Sequence, residues 1–192
     1  MIIRSRSLLP LVWLTAVCAT GAVTVDPNLE RAQIKVDAIL SHKVQPGYAV
    51  TFSEAEVNAL ATDVAARKFS SVQNSHIQLK TGVILATASV DFLRVRKPDF
   101  LQSIPAIARL LETQAPVSVE CRVESSAGRA KVSPMRVEIA NVPMTGSVLE
   151  FLVSKFVNPL FPEAVVNRPF ELRDDLERLE VRPGALRVVM KR

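Results

Sequence analysis

Apolar residues recur at helical spacing in "TFSEAEVNALATDVAARKF", residues 51–69, where Val57, Leu60, Ala61, Val64, Ala65 and Phe69 share one side of the repeat. The spacing predicts a helix over 54–69 with that side buried and Thr62, Asp63 and Arg67 opposite it. Ser53 and Glu56 supply both halves of a capping box, and Phe52 can staple onto Val57. Upstream, 28–43 reads as a less amphipathic helix closed by the turn "QPG" at 45–47. Downstream the period drops to two. A turn near Lys80–Gly82 leads into a strand over 83–95, with Ile84, Ala86, Ala88, Val90 and Phe92 on one face and Thr87, Ser89 and Asp91 on the other. Thirteen such residues would extend about 43 Å, far beyond a common strand, which predicts a large coiled sheet. Ala86 and Ala88 are small, so something comes close to that face, either a helix or a ligand chain.

Residues 100–111 return to helical spacing, with Pro105 near the start. From Pro116, Val117, Val119, Cys121 and Val123 alternate with polar residues, as expected of an antiparallel strand with one wet face. "SSAG" at 125–128 turns the chain into a partner strand whose parity changes from Ala130 and Val132 to Met135, Val137 and Ile139, so a bulge or edge position is expected at Pro134. Thr145 can cap a helix from Gly146 to about Val157, with Val148, Leu149, Leu152, Val153, Phe156 and Val157 as its wide apolar face. It is too short and too polar to span a bilayer. Pro159 and Pro162 end it. Pro183 and Gly184 fit the centre of a type II turn that pairs Leu179 and Val181 with Leu186 and Val188.

The N-terminus sets the compartment. Arg4 and Arg6, the apolar run Leu8–Val17 and the small residues Thr20–Ala22 follow the order of a secretory signal peptide, with cleavage placed after Ala22. An uncleaved anchor over 8–25 is the alternative. Lipidation at Cys18 is the weaker option, because Val17 stands where such sites want a smaller residue. Residues 23–47 then form a helical lead-in and 48–192 a single domain. Without Arg4 and Arg6, 22 basic residues face 19 acidic ones, a net charge of +3 and too weak a field for a dedicated nucleic-acid binder. Only Cys121 remains, so no disulfide can form within the chain. Aromatic residues make up 5% of the chain, which disfavours stacked sugars and single-stranded nucleic acid.

Four stretches follow one another in a familiar order: "VTFSEAEVNALA", a pair of long strands, "VEIANVPMTGSVLEFLVSKF", and "LERLEVRPGALRVVM". In this order they resemble the small exported bacterial proteins with a tubular lipid-binding, TULIP-like fold, of the LmeA and YpmS types. The resemblance spans residues 48–190. It implies an α+β fold in which a long, strongly curved antiparallel sheet wraps around one or two amphipathic helices and leaves an apolar groove for acyl chains. On this reading Leu60 and Val64 of the first helix, Ile84, Ala86, Ala88 and Val90 of the long strand, and Leu149, Leu152, Val153 and Phe156 of the second helix contact lipid. The single Pro143 before that helix departs from the family, which often carries more Gly and Pro there.

Catalytic equipment is sparse. His42 and His76 lie on different elements, Asp174 and Asp175 point to opposite sides of an extended chain, and Cys121 sits on the apolar side of its strand. No phosphate loop, paired-cysteine or zinc-helix motif is present. The expectation is therefore a non-enzymatic lipid-binding protein of the cell envelope or periplasm, with no cofactor, metal or nucleic acid. The alternative is a structural or protein-interaction module with a fully packed core. Arg94, Arg96 and Lys97, and separately Arg187, Lys191 and Arg192, could meet lipid phosphates or an envelope membrane surface, although charged strand ends are commonly just solvated.

Overall fold

A computed structural model describes residues 26–94, 113–154, 168–173 and 175–192. The expected signal peptide, the helix over 100–111, Asp174 and the stretch 155–167 lie outside the described residues. Among the described residues, three helices, α1 (Pro27–Leu40), α2 (Glu54–Lys68) and α3 (Gly146–Leu152), accompany nine strands. These are β1 (Ala49–Ser53), β2 (Val72–Lys80), β3 (Val83–Asp91), β4 (Gln114–Ser126), β5 (Arg129–Ile139), β6 (Val142–Pro143), β7 (Phe170–Glu171), β8 (Leu176–Arg182) and β9 (Ala185–Met190). The fold is α+β, and every described strand pairing is antiparallel. There are two sheets rather than the one long sheet expected: a three-stranded sheet ordered β1-β9-β8, and a six-stranded sheet ordered β2-β3-β4-β5-β6 with β7 added to β5. Among the described residues, neither closes into a barrel.

The turns follow from residue type. Gly184, at φ 70, takes the left-handed place of the Pro183–Gly184 turn, and Leu179 and Val181 pair with Val188 and Leu186 as the alternation requires. Ala127 and Gly128 both have positive φ, the geometry of a tight primed hairpin turn between β4 and β5. In that hairpin Cys121 faces Pro134 while Glu120 faces Arg136, so Met135 is the extra residue of the expected bulge and points out to solvent. The long strand is β4, not β3. Expected to run to residue 95, β3 stops at Asp91, whose Oδ1 accepts the Leu93 N–H at 3.0 Å and starts a tight helical turn over Phe92–Arg94.

Two apolar cores hold the frame. The first gathers Val90, Phe92, Ala115, Val137, Ile139, Met144 and Val148 where the ends of β3, β4 and β5 meet α3. The second gathers Ala32, Ile39, Phe52, Leu176, Val188 and Met190 where the three-stranded sheet meets α1. The N-terminal lead-in is thus part of a core, since Ala32 is wholly buried. β8 ties the sheets together, because both hairpin tips of the larger sheet bond to its free edge. Gly82 donates to Val181 O at 2.9 Å, Gly128 to Glu177 O at 2.7 Å, and the Ser125 hydroxyl accepts from Leu179 N at 2.9 Å.

α2 starts as its sequence dictates. The Ser53–Glu56 capping box is complete, and Glu56 also binds Lys35 of α1 at 2.6 Å. Its apolar side is only half-buried, however, and Glu56 is the one buried residue of the helix. The reason is where α2 lies, along the open edge of β2. The Asn58 amide donates to Ile77 O at 2.7 Å and accepts from Ile77 N at 2.6 Å. Glu54 Oε2 accepts from Leu79 N at 2.7 Å, and Thr62 meets Ser75. Helix positions 54, 58 and 62 advance about 6 Å per step, and strand positions 79, 77 and 75 about 6.7 Å, so the two rows stay in step. α2 therefore stands in for a neighbouring strand on an edge that would otherwise invite pairing.

Two outcomes are expected. Asn58→Ala strips both partners from Ile77 and lowers the unfolding free energy by about 1–3 kcal/mol, read from urea denaturation; an unchanged midpoint would contradict the edge-cap assignment. The second concerns acid. Burial pushes the Glu56 carboxyl up, but the Lys35 ammonium and the Ser53 N–H outweigh it and hold the group below its ordinary value of 4.5. Its contribution is complete above that value and is lost as pH falls through the lower folded value. The wild type should therefore lose more stability than Glu56→Gln as pH drops below about 4.5; parallel losses would contradict this.

Candidate functional site

Between the two cores runs the middle of the six-stranded sheet, and one face of it is apolar from strand to strand. Register places Ile77 beside Ala86, and Ala86 beside Val119. It likewise sets Ile84 beside Cys121 and Val119 beside Val137. Ile77, Ile84, Ala86, Ala88, Val119 and Cys121 are all half-buried, whereas Val90 and Val137 at the α3 end are buried. Among the described residues of these strands, no charged side chain shares this face. Small side chains, Ala86 and Ala88, stand at the middle of this face on β3.

The expected lipid contacts are distributed unevenly. Ile84, Ala86, Ala88 and Val90 share that face of β3, and Leu149 packs against the first core, of which Val90 is a member. Leu60 packs instead into the second core, and Val64 is half-buried on α2 outside both. The structure does not bring the α2 pair together with the α3 residues, because α2 is held at the sheet edge. Val153 is half-buried just past α3; the Leu152 side chain and Phe156 lie outside the described residues. Thr145 precedes α3 with extended backbone but makes no side-chain cap, so that part of the expectation fails.

Two cavities were not anticipated. The larger, about 660 Å³ and open to solvent, lies between α1, α2 and β2, with Leu29, Ala55, Ala59 and Ala66 as its apolar lining and Asp26, Asp63 and His76 at the rim. None of the ten expected contacts lines it. The spacing of Ala55, Ala59 and Ala66 could have signalled it. The smaller, about 290 Å³, lies against the larger sheet among Thr87, Ser89, Ser118 and Glu138, and one expected contact, Ala88, also lines it with Val117. Glu138 is engaged there by Arg136 at 2.6 Å and by the Ser118 hydroxyl at 3.3 Å.

His42 pairs with Asp175 at 3.0 Å, far from the apolar face, and His76 is exposed on β2. Among the described residues no group of three or more His, Cys, Asp or Glu is placed to hold a metal, and no helix is long and apolar enough to cross a membrane. Comparison with known proteins adds no relative: no family model matches the chain, and no curated protein or solved structure does.

Cys121 reports on the face. Burial, and then the charge of neighbouring Glu120, push its thiol up to about 11. Iodoacetamide should therefore alkylate Cys121 at least about tenfold faster in the unfolded chain than in the native one at neutral pH. Peptide mapping separates it from Cys18. Equal rates would mean that the strand face is open to water.

Proposed function

We propose that this is a non-enzymatic lipid-binding protein of the cell envelope, exported through its N-terminal segment and holding acyl chains against the apolar face of the six-stranded sheet. The observation that carries the reading is that face itself, uncharged over four strands, with Ala86 and Ala88 at its middle, and left half-exposed between two buried cores. A face of this kind exposed to water is costly, and each methylene laid against it is worth roughly 0.8 kcal/mol. The resemblance to TULIP-like proteins supports the same assignment, with a curved sheet around an acyl chain as its finer form. No charged group is needed on the face for such a ligand, and none is found among its described residues.

The test is lipid content and lipid uptake. Protein purified from cells and extracted with organic solvent should release lipid detectable by mass spectrometry, and the stripped protein should take up labelled phospholipid. Ala86→Trp, which crowds the middle of the face, should reduce uptake at least about tenfold, whereas Ala59→Trp, in the groove beside α2, should leave it near wild type. A chain free of lipid and unable to acquire it would overturn the proposal and favour an interaction module. A loss confined to Ala59→Trp would move the lipid to the other groove.

A further inference from the structure

We propose that the outer face of the three-stranded sheet is a docking surface for an anionic phospholipid bilayer. Arg178, Glu180 and Arg182 alternate along β8 and so project from one face, and Arg187 stands opposite Glu180 on β9. Residues of the other parity, Leu179, Leu186 and Val188, turn into the second core. The Glu180 carboxylate accepts from Arg178 Nε at 2.9 Å, Arg182 Nη2 at 2.5 Å and Arg187 Nη1 at 3.3 Å. The bond from Arg178, with support from Arg182, holds the carboxyl below its ordinary range against the opposing effect of burial. One negative charge thus fixes three positive ones in a row, and the cluster keeps a net charge of +2.

The three side chains are 43%, 56% and 37% exposed, so guanidinium groups pinned by the sheet still reach solvent. Each carries five donors, of which Glu180 takes one, and the planar fork matches phosphate oxygens. Neither described cavity includes any of the four residues. A flat row of cations with no pocket fits an array of phosphate headgroups better than one small anion. Sequence alone grouped Arg187 with Lys191 and Arg192; the register places it with Arg178 and Arg182 instead. The inference does not depend on lipid carriage, since a protein with a fully packed core would dock through the same face.

The test is sedimentation of the full-length chain with vesicles of phosphatidylcholine containing phosphatidylglycerol, against phosphatidylcholine alone, at low ionic strength. The wild type should bind the anionic vesicles more tightly than the neutral ones, and added salt should remove the difference. Arg182→Gln and Arg187→Gln should each lower partitioning about fivefold, while Arg182→Lys, which keeps the charge and loses only the fork, should lower it distinctly less. Arg67→Gln, on α2, should change nothing. The apolar segment 8–17 is common to all these proteins and drops out of the comparison. Equal binding to both vesicle types would overturn the proposal, as would arginine variants that bind like the wild type. So would an Arg182→Lys loss as large as that of Arg182→Gln, which would make the role structural. Displacement by inorganic phosphate at matched ionic strength would mark a small-anion site instead.

Discussion

The paired hydrogen bonds between the Asn58 amide and the Ile77 backbone decide where α2 lies, and much of the remaining architecture follows. A sheet edge exposes a row of unpaired donors and acceptors, and this chain covers one such edge with a helix in step with it. Because α2 is committed to the edge, it does not cover the broad apolar face of the same sheet. That face is packed at one end by α3, while the other end of the sheet is tied to β8 by the hairpin tips. Ala86 and its neighbours in the middle stay half-exposed. The candidate lipid-binding face is thus a consequence of how the edge is closed.

Side-chain size and charge are likewise divided between regions of the fold. Large apolar side chains such as Phe92, Ile139 and Phe52 fill the two cores, while Ala86 and Ala88 stand at the middle of the half-exposed face. Polar specificity is kept at the joints. The Lys35–Glu56 pair links α1 to the start of α2, and the Ser125 hydroxyl links a hairpin tip to β8. Charge is displaced to the outer face of the smaller sheet, where Glu180 gathers three arginines. The apolar face and the cationic cluster therefore occupy different sheets, so the proposed lipid uptake and the proposed surface docking can be tested independently.

Much of this was legible in the sequence wherever the cause is local. The capping box at Ser53, the bulge at Pro134, the turn at Pro183–Gly184 and the alternation from Val117 to Val123 each depend on residues a few positions apart. What was not legible depends on distant partners. Periodicity marked one side of 54–69 for burial but could not reveal that Asn58 and Glu54 would meet β2 instead. The length of β3 was overread because the apolar alternation continues through Phe92, while the backbone turns on the Asp91 carboxylate. The arginine row was present as alternation in "RLEVR", yet only the pairing of β8 with β9 adds Arg187 to it. Of the candidate site, the β3 face was readable, and the separation of Leu60 from Leu149 into different cores was not.

The central claim is that the apolar face at Ala86 is occupied by lipid and not by the protein's own side chains. Isotope-filtered nuclear Overhauser spectroscopy tests it directly, with carbon-13-labelled protein and unlabelled phospholipid. Cross-peaks from the methyl groups of Ala86, Ala88 and Val119 to acyl-chain methylenes are the predicted result. Methyl contacts to protein protons alone, in a sample saturated with lipid, would contradict it.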